Sequence, residues 1–352
     1  MTQKNKRRTG WFLLFFAICS ARAFSADTQS DGAISLYDLS SKIGGELFWD
    51  PLSGIARMVK DGHTADLRVG SPLVIYDYGR AERLDSPALV GGIPTVTVSF
   101  SKRIEDFFTA LPPPSTYKVG AILIDPGHGG KDPGAIGTAS IGGKSVQIRE
   151  KDVVLKVATA LSQALRVAYP DKKVLMTRSG DTYPSLEDRV ELANGVKTGP
   201  NEAILYVSIH ANSAFNKSSS GFEVWYLSPD YRRTVIDKTE GDAADLLPIL
   251  NSMMEEEFTT ESILIAKSIS DSLNATIGNK SPNRGIKEES WFVVRNAKMP
   301  SVLIELGFVS NPAEAKLLAE DEYLKKCATG IYNGLVTFIN HFEGSRGFTA
   351  AQ

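Results

Sequence analysis

Two of the four histidines follow strand-length apolar runs, the places where ligand-binding residues collect in open α/β sheets. His128 stands in the glycine-rich stretch after the run 121–124, and His210 follows the run 204–209. Two neutral imidazoles and one carboxylate form the ligand set of a catalytic zinc site, which keeps a fourth position for water. A lone histidine at such a place is more often a packed residue, so the pair leaves both a metal site and ordinary packing open.

Two glutamates occupy comparable positions. Glu150 opens the helical pattern 150–168, where an acidic residue also compensates the helix dipole. Glu305 ends the apolar run 301–304, and a carboxylate with apolar neighbours tends to a raised pKa that suits proton transfer. The alternative for Glu305 is a salt-bridged structural acid.

The elements that must position these residues alternate along the chain. Nearly unbroken apolar runs bounded by turn residues predict buried strands, and apolar positions at helical spacing predict helices between them. This alternation predicts an α/β sheet covered on both faces. The predicted strands lie at 121–124, 174–177, 204–209, 222–227 and 301–305, and the predicted helices at 150–168, 261–277 and 313–341.

Four ordered motifs resemble the zinc-dependent N-acetylmuramoyl-L-alanine amidases over about residues 119–341. The motifs are DPGHGGKDPGAIG, a glutamate that opens the next helix, SIHAN and IELGFVSN. The resemblance implies zinc bound by His128, Glu150 and His210, and Glu305 as the catalytic carboxylate. It also implies a twisted, mostly parallel sheet flanked by helices, and hydrolysis of the muramoyl–alanine amide of peptidoglycan during cell-wall remodelling or daughter-cell separation.

Two other functions remain open. The same metal chemistry serves a zinc peptidase or carboxypeptidase that acts on wall peptides, and a degenerate site would suit a catalytically silent wall-binding regulator. No residue is assigned to substrate binding. Asn212 is a candidate for hydrogen bonding to a ligand or substrate, while Arg178, Arg189 and Arg284 are expected to form structural ion pairs.

The N-terminus reads as a signal peptide over residues 1–23, with a basic head, a short apolar run and the small-x-small site Ala21-Arg-Ala23. Export to the periplasm or cell envelope agrees with a peptidoglycan substrate. Beyond residue 30 no stretch is apolar for long enough to span a bilayer. Five of the 39 basic residues and none of the 41 acidic ones lie in 1–23, so the processed chain is acidic and unsuited to nucleic acid.

Residues 34–110 form a predicted small β-rich module with a helix at each end, which we call the N-terminal module. A proline-rich linker at 111–118 separates it from the catalytic domain, 119–341. The stretch from Gly44 to Pro51, the β-hairpin pattern after it and Val69-Gly-Ser-Pro72 resemble the N-terminal module of copper amine oxidases. No copper site is expected, because His63, expected in an exposed turn, is the only histidine of the module. A positioning or wall-docking role and a plain structural cap are both open.

The segment 240–258 departs from a simple connection between elements. It lies within a connection of over thirty residues between the predicted strand 222–227 and the predicted helix 261–277, and loops that long usually hold structure or function. The segment carries an apolar helical stripe beside Glu255, Glu256 and Glu257. One hypothesis is a gating helix with an acidic side chain directed at the metal, which a protein activator would move. The alternative is an ordinary packed helix.

Overall fold

The computed structural model of the chain describes residues 32–77, 80–110, 117–199, 201–235 and 247–345. The predicted signal peptide and most of the predicted linker lie outside these residues. The two largest hydrophobic clusters of the described residues are separate, one built from residues between 36 and 108 and the other from residues between 119 and 342. Within the described part of the chain, no helix is long and apolar enough to cross a membrane.

The described residues of the N-terminal module form two antiparallel sheets and two helices. Its strands and helices are β1 (Ala33–Ser35), α1 (Leu36–Ile43), β2 (Glu46–Asp50), β3 (Ile55–Lys60), β4 (His63–Arg68), β5 (Leu73–Tyr76), β6 (Arg80–Arg83), β7 (Ala88–Val90), β8 (Ile93–Thr97) and α2 (Val98–Ala110). The strands pair in the orders β2-β3-β4-β5-β6 and β1-β8-β7. The predicted helix at each end is confirmed. The expected exposure of His63 is wrong, because it begins β4 as a buried residue 2.8 Å from Asp77 Oδ2.

The second core surrounds a six-stranded sheet of order β12-β9-β13-β16-β14-β15. The elements from residue 118 onward are β9 (Lys118–Pro126), β10 (Ile136–Ile141), β11 (Lys144–Arg149), α3 (Glu150–Ala168), β12 (Lys173–Met176), α4 (Leu186–Gly195), β13 (Glu202–Asn212), β14 (Phe222–Tyr226), α5 (Leu247–Ile277), β15 (Asn283–Glu288), α6 (Phe292–Asn296), β16 (Ser301–Phe308), α7 (Pro312–Leu318) and α8 (Asp321–Gly344). All neighbouring strands run parallel except β14 and β16, so the predicted mostly parallel sheet is confirmed.

Alternate residues of the strands face two different helical layers, as the period of two in a strand requires. Val302, Ile304 and Leu306 of β16 join the main cluster with α3, α5 and α8, whereas Leu303 packs with α4 and α6. Glu305 has the same parity as Leu303 and therefore lies on the side of α4 and α6. Helices on both faces were predicted from the unbroken apolar runs, and this prediction is confirmed.

Some elements differ from the sequence prediction. The strands β10, β11 and β15 were not predicted, because each is a largely exposed segment without an apolar run. The predicted helix 313–341 is two helices that break after Leu318, and α7 is capped by Asn311 with Pro312 in its first turn. The predicted helix 261–277 begins fourteen residues earlier, since the stripe in 247–258 continues into it.

Candidate active site

The predicted site residues lie at the carboxyl edge of the six-stranded sheet. His128 stands in the loop after β9, His210 lies near the end of β13, and Glu305 of β16 is in register with His210. Glu150 is the first residue of α3, and its carboxylate turns toward both histidines. Residues far apart in the sequence meet here because parallel strands end at one edge of a sheet.

Three of these side chains form a cluster that we call the His–Glu–His group: His128, Glu150 and His210. Their potential ligand atoms all lie within 4.8 Å of one another. His128 Nε2 lies 3.1 Å and His210 Nδ1 lies 3.0 Å from the same oxygen, Glu150 Oε1. The backbone amide of Ala211 donates to Oε1 and that of Ala135 donates to Oε2, at 3.0 and 2.8 Å, so the buried carboxylate is fixed in place.

The electrostatics of the group suit a cation. Burial alone would raise the pKa of Glu150, but hydrogen bonds and charge from His128 and His210 outweigh burial and lower it. His128 is held from behind, because its Nδ1 lies 2.8 Å from Asp132 Oδ2. Metal-binding histidines characteristically donate their second ring nitrogen to such a carboxylate, which fixes the ring and its tautomer. Two imidazoles, one ionised carboxylate and this supporting aspartate fit a zinc ion.

Two glycines of the first motif make room for the group. A Cβ on Gly127 would lie 2.2 Å from His210 Cε1, so no other residue fits beneath that ring. A Cβ on Gly134, whose φ is +65°, would lie 2.6 Å from Glu150 Oε2 and 2.7 Å from His128 Cδ2. His128 itself has φ +59°, an uncommon conformation for a residue other than glycine that turns its ring toward the site.

Glu305 lies beside the group rather than within it. It pairs with His210 on one side and with Glu223 of β14 on the other. Burial raises its pKa well above the ordinary value, and the charges of Glu150 and Glu223 raise it further. Its Oε2 is buried and has no hydrogen-bond partner among the described residues. An acid whose buried oxygen has no hydrogen-bond partner is poised to exchange a proton with a bound molecule.

Asp125 is a site residue to which the sequence analysis gave no role. It opens the first motif, is fully buried and pairs with Arg189, whose Nη1 lies 2.5 Å from Asp125 Oδ1. Burial raises the pKa of Asp125, but Arg189 and the hydroxyl groups of Thr177 and Tyr206 more than compensate and lower it. The hydroxyl group of Ser208 also donates to Asp125 Oδ2.

Two arginines fix the backbone of the loop that carries His128. Arg189 donates to the carbonyl oxygens of Pro126 and His128, at 2.8 and 2.7 Å. Arg178 donates to the carbonyl oxygens of Pro126 and Gly127, at 2.9 and 2.7 Å. The expected structural ion pair is therefore present for Arg189, whereas the hydrogen bonds of Arg178 run to backbone carbonyls.

A second polar cluster lies on the other side of Glu305, around the buried carboxylate of Glu223. Asn212 Nδ2 donates to Glu223 Oε1 at 2.7 Å, so this amide serves Glu223 in the structure. Arg284 Nε and Lys287 Nζ donate to Glu223 Oε2, at 2.7 and 2.5 Å. The expected ion pair of Arg284 is thus present, and Lys287, three residues further along β15, joins it without having been assigned a role from the sequence.

A pocket of about 290 Å³ opens beside the His–Glu–His group, between the sheet and the segments that contain α4 and α6. His128 and His210 form part of its wall, and Tyr183, Trp291 and Phe292 supply aromatic surface. Tyr183 and Trp291 are each 43% exposed. A concave site with aromatic walls and a few polar groups is the usual form of a substrate site.

The described part of the segment 240–258 packs away from the group. Residues 247–258 form the first turns of α5, and Leu250 is buried against Ile75 of the N-terminal module. Glu255 is buried and pairs with Arg233 at 2.8 Å. Among the described residues the metal-type cluster contains no acid from this segment, so the packed-helix alternative accounts for 247–258 here.

The chain belongs to the N-acetylmuramoyl-L-alanine amidase family, whose family model matches residues 122–337. That range contains the His–Glu–His group, Glu305 and every strand of the six-stranded sheet except residues 118–121 at the start of β9. The identification from four ordered motifs is therefore confirmed at the level of the family.

Curated relatives agree with the family. The amidase AmiA of Salmonella typhimurium is 31% identical over 255 residues, which cover 67% of this chain and 83% of the relative. The amidase AmiC of Neisseria meningitidis is 30% identical over 295 residues, covering 78% and 67%. Among solved structures, an N-acetylmuramoyl-L-alanine amidase from Clostridium difficile 630 is 28% identical, with a TM-score of 0.46 and coverage of 63% of this chain and 98% of that one.

Proposed function

We propose that this chain is a zinc-dependent enzyme that hydrolyses the amide between N-acetylmuramic acid and L-alanine in peptidoglycan. Family membership supplies the reaction class and the substrate. The observation that supports the zinc site is the convergence of His128, Glu150 and His210, whose candidate ligand atoms lie within 4.8 Å of one another. Glu305 lies beside them and has a buried Oε2. These three residues would bind the ion, and Glu305 would be the catalytic carboxylate.

Different side chains of the site would have different roles in hydrolysis. When bound, a zinc ion at such a site lowers the pKa of a coordinated water and polarises the scissile carbonyl. Glu305 would accept a proton from the attacking water at its free Oε2 and deliver it to the nitrogen of the departing alanine. Its raised pKa lets it hold that proton between the two steps. Asp132 keeps the His128 ring oriented throughout.

The test combines metal analysis with digestion of isolated peptidoglycan. The purified protein should contain close to one zinc per chain, and a chelator should stop digestion until zinc is restored. Mass spectrometry should detect free stem peptides that begin with alanine. Fragments cut between amino acids would instead indicate the zinc peptidase alternative, and zinc binding without any release would indicate the silent wall-binding alternative.

Export, regulation and the role of the N-terminal module stay predictions. A substrate outside the cytoplasm agrees with the signal peptide proposed for residues 1–23 and with a periplasmic or envelope location. An activator that acts on 240–258 is tested by deleting that segment and measuring peptidoglycan release. If the deletion variant keeps its fold, faster peptidoglycan release than in the wild-type protein would support gating. An unchanged or lower rate of release would contradict it.

A further inference from the structure

Two cationic side chains lie at the end of the row of polar residues that crosses the sheet edge. The strands β13, β16, β14 and β15 are neighbours in that order and present His210, Glu305, Glu223 and the cations in turn. Arg284 and Lys287 are on β15, and both donate to Glu223. The row therefore runs from the His–Glu–His group to a basic end.

The basic end carries more positive charge than its buried partner neutralises. Glu223 is only 2% exposed, and its two oxygens are already occupied by Asn212, Arg284 and Lys287. Within the described residues, neither cation pairs with a second carboxylate. The side chains of Arg284 and Lys287 remain 37% and 32% exposed, so a bound molecule has access to a net positive charge.

The position of both cations is fixed by packing. The Arg284 guanidinium lies over the Phe308 ring at 5.1 Å, and the Lys287 ammonium lies over the Trp225 ring at 5.1 Å. Arg284 also packs on Gly221, where a Cβ would lie 2.7 Å from its Cγ. A cation held by a buried carboxylate and a ring loses little conformational entropy on binding an anion.

The distance to the reacting atoms suits a group close to the scissile bond. Glu223 faces Glu305 across one strand spacing, and β15 lies one spacing further, so the cations are about 5–10 Å from Glu305. Two extended residues of a peptide span about 7 Å. A group on the residue after alanine would therefore reach them.

The chemistry of the substrate indicates which anion Arg284 and Lys287 would bind. In a muramoyl–alanine amide the lactyl carboxyl group is consumed in the scissile bond, so a free carboxylate near that bond belongs to the peptide. We propose that Arg284 and Lys287 bind the free carboxylate of the stem-peptide residue next to alanine. This inference rests on the proposed function, and it places the peptide toward β15 and leaves the aromatic pocket to the glycan side.

The experiment compares two disaccharide–tetrapeptides that differ only in whether the second residue carries a carboxylate or a carboxamide. A charged hydrogen bond lost on amidation should reduce kcat/KM of the wild-type enzyme by about 10- to 100-fold. The preference is the ratio of kcat/KM for the carboxylate substrate to kcat/KM for the carboxamide substrate. Lys287→Gln and Arg284→Gln should each bring this ratio closer to one, mainly by changing KM. Lys287→Arg keeps the charge and should retain the preference.

A control separates recognition from a general change of charge. Lys267→Gln removes an exposed lysine that pairs with Asp271 on α5, away from the site, and should keep the wild-type preference. Equal cleavage of both substrates by the wild-type enzyme would overturn the carboxylate site and leave the amidase function standing. Full preference in both Gln variants would also overturn it. Cleavage of neither substrate would overturn the proposed function itself.

Discussion

Replacing Arg189 by methionine tests whether the pair of Arg189 and Asp125 holds the His128 loop. The side chains of Arg189 and Asp125 are 3% and 1% exposed. The variant leaves Asp125 as a buried carboxylate that is bonded only to neutral hydroxyl groups among its described partners. It also removes the donors to the carbonyls of Pro126 and His128.

The expected loss is large because one partner of a buried ion pair remains behind. Such a change costs about 3–5 kcal/mol of unfolding free energy. For a unit of 150–250 residues, this corresponds to a fall in Tm of roughly 6–20 °C. Loss of the Arg189 hydrogen bonds to the loop that carries His128 should also weaken zinc affinity by about 10- to 100-fold. Substitutions of residues that orient metal ligands typically have effects of this size.

Thermal unfolding by circular dichroism and zinc competition against a chromogenic chelator measure the two effects separately. Lys156→Met is the matched control, because Lys156 pairs with Asp321 at 2.8 Å with both side chains exposed. An exposed pair of this kind contributes about 0–1 kcal/mol. Adding Asp125→Asn to Arg189→Met should recover part of the Tm. A single variant with wild-type Tm and zinc affinity would refute the positioning role of the pair.

Two further predictions concern individual acids. Glu305→Gln should retain zinc, measured by metal analysis, yet release no stem peptide, whereas His128→Ala should lose both; full turnover in Glu305→Gln would remove the proposed mechanism. Glu261 is buried in α5, and burial, followed by the charge of Glu257, raises its pKa well above 4.5. The contribution of protonated Glu261 to the unfolding free energy is fully present below pH about 4.5 and is lost as the pH rises toward the raised pKa. Glu261→Gln should therefore stabilise the protein at pH 7 and have little effect at pH 4. Urea unfolding at both pH values measures this difference, and a larger gain at pH 4 would contradict the assignment.

The sequence predicted those helices and strands whose apolar pattern is visible within the segment itself. The helix expected at 150–168 is α3, because its apolar stripe faces the sheet along its whole length. Buried strands such as β9 and β16 appear as apolar runs, since both of their faces are covered. The strand β15 is an exposed polar edge strand, so it contains no such apolar run and was not predicted.

His128 and His210 were candidates from the sequence, because glycine- and asparagine-rich turns after buried strands mark places where ligands bind. Glu150 joined them as a ligand only through the resemblance to the amidases. The sequence did not show which side chains would become neighbours. Glu223 meets Glu305 only because β14 runs antiparallel beside β16. Arg189 reaches Asp125 across 64 positions, because α4 lies over the face of the sheet that carries the site. Local patterns determined the chemistry available to this chain, and long-range packing decided how its charges are paired.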